Sequence, residues 1–150
     1  MQNIIIRKAN QNDMPKIYQL VHELAVYEKE PDALKIGIKE YVEAFAEGLI
    51  DSIVAEMNGK IVGITVFYMT FSTWRGKCIY LEDFYVKPEY RKFGIGQQLF
   101  DSFLSESKSR GAKQVKWQVL DWNEIAINFY EKNKATIEKN WWNGKIYFGE

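Results

Sequence analysis

Three consecutive strand-like runs in the middle of the chain place the strongest constraint on its fold. Residues 51–57, 61–71 and 77–86 are rich in β-branched and aromatic side chains, and turn-forming residues bound each run. The Asn58-Gly59 pair between the first two favours a tight hairpin turn. Because short connections join antiparallel neighbours, these runs predict adjacent strands of one sheet.

Helical patterns lie on both sides of these runs. After a short strand at residues 4–7, apolar side chains recur at three- and four-residue steps from Ile17 to Leu24, the spacing of one buried helix face. A weaker helical pattern covers residues 38–46, and a longer one covers residues 95–110. The sequence therefore predicts helices that pack against the sheet.

The last third of the chain predicts further alternation of strand and helix. Residues 113–120 alternate between apolar and polar side chains, as in a strand with one buried face. Residues 123–132 predict a helix, and residues 137–148 predict a hairpin around Asn143-Gly144. The order β-α-α-β-β-β-α-β-α-β predicts one α/β domain over residues 1–150. Its sheet is expected to be mixed, mostly antiparallel and flanked by helices.

Composition limits the functional classes. Twenty Lys and Arg balance twenty Asp and Glu, so the basic excess of a nucleic-acid-binding protein is absent from the sequence. One cysteine (Cys78) and one histidine (His22) supply neither a disulfide framework nor a structural zinc site, so no metal is expected. No apolar run approaches 18 residues and no signal-peptide pattern opens the chain. We therefore expect a cytoplasmic protein that binds neither nucleic acid nor membrane.

A strand, a tight loop and a helix follow one another between Tyr80 and Gly96, and the helix begins after two glycines. Backbone N–H groups at a helix start lack partners within the helix, and the positive end of the helix dipole lies there. Gly94 and Gly96 place no side chain before a ligand, so the segment suits a diphosphate, although a simple tight turn also explains it. Leu99 replaces the third glycine of a dinucleotide-binding motif, and no P-loop follows.

Two motifs in this part of the chain resemble those of one enzyme superfamily. The stretch from Arg91 to Gly96 is similar to the Arg/Gln-x-x-Gly-x-Gly/Ala pyrophosphate loop of the GNAT N-acetyltransferases. Residues 122–130 resemble the Asn-x-x-Ala-x-x-Phe-Tyr helix of the same superfamily. The resemblance extends over nearly the whole chain, and it implies transfer of an acetyl group from acetyl-CoA.

The resemblance also implies which residues bind acetyl-CoA. The backbone of Phe84 to Val86 corresponds to the strand that pairs with the pantetheine arm and polarises the thioester carbonyl. Asn123 is expected to support the cofactor; capping of the following helix is the structural explanation for this residue, and both roles can hold together. The full expected set is Phe84, Tyr85, Val86, Arg91, Lys92, Phe93, Gly94, Ile95, Gly96, Gln97, Asn123, Ala126 and Tyr130.

Other segments resemble the diamine branch of this superfamily, which includes acetyltransferases for spermidine, spermine and thialysine. These segments are Leu24-Ala25-x-Tyr27-Glu28, Trp74-x-Gly76-Lys77, Tyr80-Leu81-Glu82-Asp83-Phe84 and Trp122-Asn123-Glu124. The resemblance implies a small cationic amine as substrate and a homodimer as the assembly. Tyr27, the carboxylates of Glu28, Glu82 and Asp83, and the aromatic face of Trp74 are expected to bind the amine.

Two side chains are expected to carry out proton transfer. An alkylammonium group with a pKa near 10.4 is deprotonated in roughly one molecule in two thousand at pH 7, so the reaction needs a base. Glu82, beside the cofactor loop, is the candidate base through a water molecule, and simple binding of positive charge is its alternative. Tyr130 is the candidate acid for the departing thiolate, and a core tyrosine is its alternative.

Two departures from the branch bear on the substrate and on one turn. Ser72-Thr73 stand where polyamine-specific relatives tend to carry an acidic residue, which weakens the case for a long polyamine. Lys134 stands where glycine is usual, so either it tolerates the backbone angle of that turn or the turn differs. Acetylation of a peptide or protein amine and a non-catalytic acyl-CoA-binding domain are the alternative functions.

Overall fold

A computed structural model describes residues 3–149 and divides the chain into two compact units, residues up to 118 and residues from 119 onward. The elements of the first unit are β1 (Ile4–Lys8), a 3-10 helix (Gln11–Asp13), α1 (Met14–Tyr27), α2 (Ile38–Ala46), β2 (Asp51–Met57), β3 (Lys60–Ser72), β4 (Gly76–Val86), a second 3-10 helix (Pro88–Phe93), α3 (Ile95–Ser109) and β5 (Gln114–Lys116). The second unit contains α4 (Glu124–Lys132). Within residues 3–149, no helix is both long and apolar enough to cross a membrane.

Five strands form one mixed sheet in the order β1-β2-β3-β4-β5. Neighbouring strands are antiparallel from β1 to β4, whereas β4 and β5 are parallel. A parallel pair needs a crossover connection, and α3 provides it. This topology confirms the predicted α/β class with a mixed, mostly antiparallel sheet.

Helices cover both faces of this sheet. On one face the predicted apolar stripe of α1, from Ile17 to Leu24, is buried in a cluster with Val66 of β3, and side chains of α2 pack against the same cluster. On the other face Phe103 of α3 lies 5.3 Å from Phe67, measured between ring centroids. The sheet therefore has a separate apolar core on each face. Full burial of one large apolar side chain in either core stabilises the fold by about 1.5–3 kcal/mol.

The strand predicted at residues 113–120 is shorter than expected. Only Gln114–Lys116 pair with β4, opposite Cys78 to Tyr80. The less exposed side chains still alternate as predicted, and they are Val115, Trp117 and Val119. Alternation indicates which face a side chain takes, whereas a strand also needs a hydrogen-bonded neighbour. Pairing with β4 ends at Lys116, and the strand ends there too.

The predicted hairpin at residues 137–148 is wrong. No described residue after Lys116 belongs to a strand. A type I′ turn needs positive φ at both central residues, and neither Asn143 nor Gly144 has it. Trp142 is 94% exposed and Phe148 is 90% exposed, so the segment buries no apolar face that offsets the entropy cost of pairing. The element order over residues 3–149 is therefore β-α-α-β-β-β-α-β-α.

The four described α-helices end in the same type of turn, in which the chain reverses through one residue with positive φ. In each case the next N–H donates to a carbonyl five residues earlier, as in Ala135 to Tyr130 at 3.0 Å. The residues with positive φ are Lys29 (65°), Gly48 (76°), Gly111 (84°) and Lys134 (66°). Glycine adopts this angle freely, whereas the Cβ of a lysine is strained there. Lys134 therefore tolerates the angle at a cost.

Replacing Lys134 with Gly is expected to raise the free energy of unfolding by about 0.5–1 kcal/mol. Relief of about 1–2 kcal/mol of left-handed strain exceeds the extra unfolded-state entropy of glycine. Circular dichroism should detect a melting temperature about 1–4 °C higher. Gly48→Ala, the opposite change at an equivalent helix end, is expected to lower it. A Lys134→Gly protein no more stable than the wild type would show that this turn does not strain Lys134.

Candidate active site

A β-bulge in β4 turns two consecutive carboxylates toward the same face of the sheet. Val66 lies opposite Asp83, and Phe67 lies opposite Leu81, so Glu82 is the inserted residue. Successive side chains of a regular strand point to opposite faces, whereas a bulge inserts one residue and redirects its side chain. Glu82 and Asp83 therefore both lie on the face covered by α1 and α2.

The contacts of Tyr68 confirm this direction for Glu82. The hydroxyl of Tyr68 donates a hydrogen bond of 2.8 Å to Oε1 of Glu82. The ring of Tyr68 stacks on Tyr80, with centroids 5.6 Å apart and planes inclined by 23°. Val66, two residues before Tyr68 on the same side of β3, belongs to the cluster packed by α1. The two tyrosine rings and the two carboxylates thus share one face.

Asp83 is a half-buried carboxyl group with a strongly perturbed pKa. Burial, followed by the negative charges of Glu82 and Glu28, raises the pKa of Asp83 to about 7. Burial also raises the pKa of Glu28, the C-cap residue of α1. Carboxylates this close together do not all ionise without cost. The structure therefore brings Glu28, Glu82 and Asp83 together as one acidic cluster.

Tyr41 of α2 also faces this acidic cluster, although no motif in the sequence marks it. Burial, followed by the charge of Asp83, raises the pKa of Tyr41, with smaller effects from Tyr18 and Glu82. Tyr18 packs edge-on against Tyr41 with ring centroids 5.0 Å apart. Burial and the hydrogen bond to Glu82 raise the pKa of Tyr68 as well. The cluster therefore adjoins phenol hydroxyls that stay protonated at neutral pH.

One edge of β4 has no neighbouring strand over its second half, as far as residues 3–149 show. β5 pairs with β4 only from Cys78 to Tyr80, whereas β4 continues to Val86. An extended amide chain can add to such an edge through main-chain hydrogen bonds. Phe84 and Tyr85, two of the residues expected to pair with the pantetheine arm, lie in this half of β4.

The side chains of that stretch are engaged with the rest of the first unit. The Phe84 ring lies 5.8 Å from Phe100 of α3, measured between centroids. The hydroxyl of Tyr85 donates to the Glu23 carboxylate at 3.3 Å, and Lys87 donates to the same carboxylate. Any pairing with an acyl-CoA along this edge would therefore use backbone groups.

The N-terminus of α3 follows this strand and its loop. Gly94 is the N-cap with φ of 75°, and it carries no side chain that could occupy the first-turn N–H groups. Gly96 has no positive φ, and an added Cβ would meet Phe84 and Val86 at 3.9 and 4.0 Å, which is ordinary contact. Packing within the chain therefore leaves room for a small residue at position 96, as the Gly/Ala of the motif allows, and such a residue also lets a pyrophosphate approach the backbone. These residues fit the pyrophosphate of acetyl-CoA.

Arg91 is anchored by contacts within the first unit. Its Nε donates to the carbonyl of Val86 at 2.9 Å. The guanidinium carbon lies 5.3 Å from the ring centroid of Tyr27 and 5.6 Å from that of Tyr85. Arg91 therefore joins the loop to β4 and to the end of α1. Tyr27, expected at the substrate site, contacts this arginine.

The other loop residues expected to bind acetyl-CoA differ in their surroundings. The Lys92 ammonium lies 5.5 Å from the ring centroid of Phe93. The side chain of Ile95 is fully buried, so only its backbone can reach a ligand. The Gln97 amide donates to Asp101 at 2.9 Å. The loop thus offers an anion its backbone and the positive charges of Arg91 and Lys92.

Two expected site residues of the second unit lie on α4. Oδ1 of Asn123 accepts a hydrogen bond from the N–H of Ala126 at 3.2 Å, so Asn123 caps the helix, a role that is compatible with the expected support of the cofactor. Tyr130 is 6% exposed, and its ring centroid lies 5.7 Å from that of Phe129. Seven residues separate Asn123 from Tyr130, which places both on about the same side of the helix.

Trp74 does not join the acidic cluster. It lies in the turn between β3 and β4, and its side chain is 85% exposed. Glu82 is six residues beyond the start of β4, a separation of about 20 Å along a strand. Trp74 therefore lies apart from the acidic cluster within this chain, and its role in binding a cation stays a prediction.

An α/β sheet with an open strand edge, a helix start flanked by glycines and an adjacent acidic cluster is the architecture of an acyltransferase that uses an acyl-CoA. A family model described as "Acetyltransferase (GNAT) family" matches residues 13–134. The chain therefore belongs to the GNAT family, whose acyl donor is acetyl-CoA, and is an amine N-acetyltransferase.

Two relatives and one solved structure illustrate the similarity. The thialysine N-epsilon-acetyltransferase of Sus scrofa is 35% identical over 162 residues, covering 100% of this chain and 95% of the relative. The enzyme of the same name from Bos taurus is 38% identical, covering 87% and 83%. An aminoglycoside acetyltransferase from an uncultured soil metagenomic sample, in complex with trehalose, has a TM-score of 0.82 at 20% identity, covering 97% of each chain. This last similarity concerns the fold alone.

Replacing Gly96 with Asp is expected to weaken acetyl-CoA binding by about tenfold to a hundredfold while leaving the fold intact. A Cβ has room in the free protein, and a carboxylate in the first turn of a helix favours the helix. Its negative charge would oppose a pyrophosphate expected at the same N–H groups, whose hydrogen bonds to a charged group are worth about 1.5–3 kcal/mol each. Isothermal titration calorimetry measures the affinity, and thermal unfolding checks the fold. Gly144→Asp, where an added Cβ meets nothing within 4 Å, is the matched control. Unchanged affinity in Gly96→Asp would place the pyrophosphate elsewhere.

Proposed function

We propose that the protein transfers acetyl directly from acetyl-CoA to the primary amine of a small cationic substrate, with a lysine-like amine such as thialysine ahead of diamines and polyamines. The observation that carries this proposal is the bulge that places Glu82 and Asp83 on one face beside Glu28. A compact acidic cluster suits a substrate with one or two positive charges. The names of the pig and bovine relatives support the same substrate class.

We assign the proton transfers to two side chains. Glu82 is exposed at the bulge, and its carboxylate takes the proton of the substrate ammonium through a water molecule. Tyr130 gives a proton to the departing sulfur, a transfer open to a phenol that is protonated at neutral pH. When bound, acetyl-CoA supplies the activated acyl group, and backbone N–H groups of Phe84 to Val86 polarise the thioester carbonyl.

We further propose that both units belong to one N-acetyltransferase domain over residues 1–150 and that the protein is a homodimer. The family model supports the single domain, because its match over residues 13–134 crosses the boundary between the units. The zero net charge removes long-range repulsion between copies. Light scattering after size exclusion should give twice the chain mass of 17.6 kDa, and a mass of one chain would contradict the dimer.

A panel of amines tests the proposed function directly. Purified protein is mixed with acetyl-CoA and, separately, with thialysine, lysine, putrescine, spermidine, spermine and a lysine-containing peptide, and CoA release is followed with time. We expect fast release with thialysine or lysine and slower release with the longer polyamines. Tyr130→Phe is expected to lower the rate with every active amine. Release with the peptide alone would favour a peptide or protein substrate instead.

Two further outcomes decide between the remaining alternatives. Acetyl-CoA binding without release for any amine would favour a non-catalytic acyl-CoA-binding domain. Cys78 is buried, and Cys78→Ala is expected to retain turnover, because transfer in a ternary complex needs no acetylated cysteine. Loss of turnover in a folded Cys78→Ala protein would overturn direct transfer.

A further inference from the structure

Glu82 extends from an irregular part of the sheet, yet a neighbour holds one of its carboxylate oxygens. The inserted residue of a bulge has no directly opposite partner, so its backbone is less constrained than a regular strand. A long, exposed side chain on such a backbone has several rotamers of similar energy. The hydroxyl of Tyr68 donates to Oε1 of Glu82 at 2.8 Å, within the range of a charge-assisted hydrogen bond.

Tyr68 is itself held firmly. It lies opposite Tyr80 in the regular part of the β3–β4 pair, and one further pair, Phe67 and Leu81, separates it from the inserted Glu82. The stacked rings of Tyr68 and Tyr80 restrict rotation of both side chains. Burial and the bond to Glu82 keep the Tyr68 hydroxyl protonated at neutral pH. The Tyr68 hydroxyl is therefore a well-positioned donor beside the Glu82 carboxylate, whose position the bulged backbone does not determine.

We propose that Tyr68 is a positioning residue that holds the Glu82 carboxylate in place for proton transfer from the substrate amine. The proposal rests on the proposed function, which makes Glu82 the proton acceptor. Tyr68 occupies Oε1 and leaves Oε2 to accept the proton.

The comparison of Tyr68→Phe with Tyr80→Phe tests this role in the full-length protein. Each variant keeps both rings, but only Tyr68→Phe loses the hydroxyl that bonds to Glu82. We expect Tyr68→Phe to lower kcat about tenfold and to leave KM for acetyl-CoA unchanged. Tyr80→Phe keeps the bond to Glu82 and is expected to lower kcat much less.

Outcomes on activity decide the role of Tyr68 when an active amine is known. A Tyr68→Phe enzyme with the wild-type kcat overturns the proposal. An equal loss of kcat in Tyr80→Phe also overturns it, because the effect then belongs to the stacked pair and not to the bond with Glu82. In a Glu82→Gln protein, adding Tyr68→Phe should lower kcat much less than Tyr68→Phe lowers it in the wild type. An equally large further loss of kcat would show that Tyr68 does not act through Glu82.

A crystallographic comparison separates failure of this proposal from failure of the proposed function. If the wild type acetylates no amine, the proposed function fails, and crystal structures of the wild type and Tyr68→Phe still decide the positioning. We expect one Glu82 conformer bonded to Tyr68 in the wild type and several conformers in the variant. The same single conformer in both structures overturns the proposal.

Discussion

Replacing Glu82 with Gln is expected to lower kcat/KM for the amine about 10²- to 10⁴-fold at pH 7. Gln keeps the length of the side chain but does not take up a proton, so the contribution of general base catalysis is lost. The variant then depends on amine that is already deprotonated in solution, roughly one molecule in two thousand at pH 7. Its rate should rise about tenfold per pH unit toward the amine pKa, so the deficit shrinks as pH increases. Steady-state CoA release from pH 6 to pH 10 measures this.

Glu47→Gln is the matched control for that experiment. Glu47 is exposed at the end of α2, so the change removes one negative charge without altering the bulge. We expect this variant to keep the wild-type rate and pH profile. Thermal unfolding confirms that Glu82→Gln is folded. A Glu82→Gln enzyme with a modest loss and an unchanged profile would contradict the role of base and leave Glu82 with the binding of positive charge.

The same dipeptide shows how far local sequence predicts this fold. Asn58-Gly59 forms the predicted turn between β2 and β3, with φ of 53° and 80°. Asn143-Gly144 forms no such turn, although it carries the same signal. The first pair joins two strands whose side chains are largely buried, whereas apolar side chains beside the second are exposed. A turn signal therefore predicts a hairpin only when the flanking strands also bury a face.

In the candidate site too, local sequence patterns predict some features and miss those that depend on the pairing of strands. The glycines at 94 and 96 were predictable, because a helix start after a tight loop is a local pattern. The contact between Tyr68 and Glu82 was not predictable, because only the register of β3 and β4 brings together two residues that are fourteen positions apart. The bulge has no sequence signature either, and without it Glu82 and Asp83 would point to opposite faces.

Asp83→Asn is expected to remove a pH dependence of stability that the acidic cluster imposes on the wild type. The ordinary pKa of this carboxyl is 3.8, and burial, Glu82 and Glu28 raise its pKa to about 7 in the folded protein. Between these pH values the folded state binds more protons than the unfolded state, so the free energy of unfolding falls as pH rises from about 4 to about 7. Below pH 4 and above pH 7 this contribution no longer changes with pH.

The expected size of that effect is about 2–4 kcal/mol, because each pKa unit corresponds to about 1.4 kcal/mol and the cluster shares the shift among its members. Urea unfolding at pH 4 to pH 8 measures it. Relative to the wild type, Asp83→Asn should gain stability steadily from pH 4 to pH 7. For Asp32→Asn, at an exposed position, the free energy of unfolding should change with pH in parallel with that of the wild type. Parallel curves for Asp83→Asn as well would show that Asp83 is ionised in the folded protein throughout this range.

A cationic substrate should reverse this cost, which links the stability of the cluster to the proposed function. An ammonium group beside Asp83 favours its charged form, so binding should release a proton near pH 6.5. Calorimetric titration with the preferred amine, in buffers of different ionisation enthalpy, counts that proton. We expect the released fraction to fall in Asp83→Asn, while Asp32→Asn keeps the wild-type value. Equal release from the wild type and Asp83→Asn would mean that the amine binds without engaging Asp83, and the acidic cluster would then not be the substrate site.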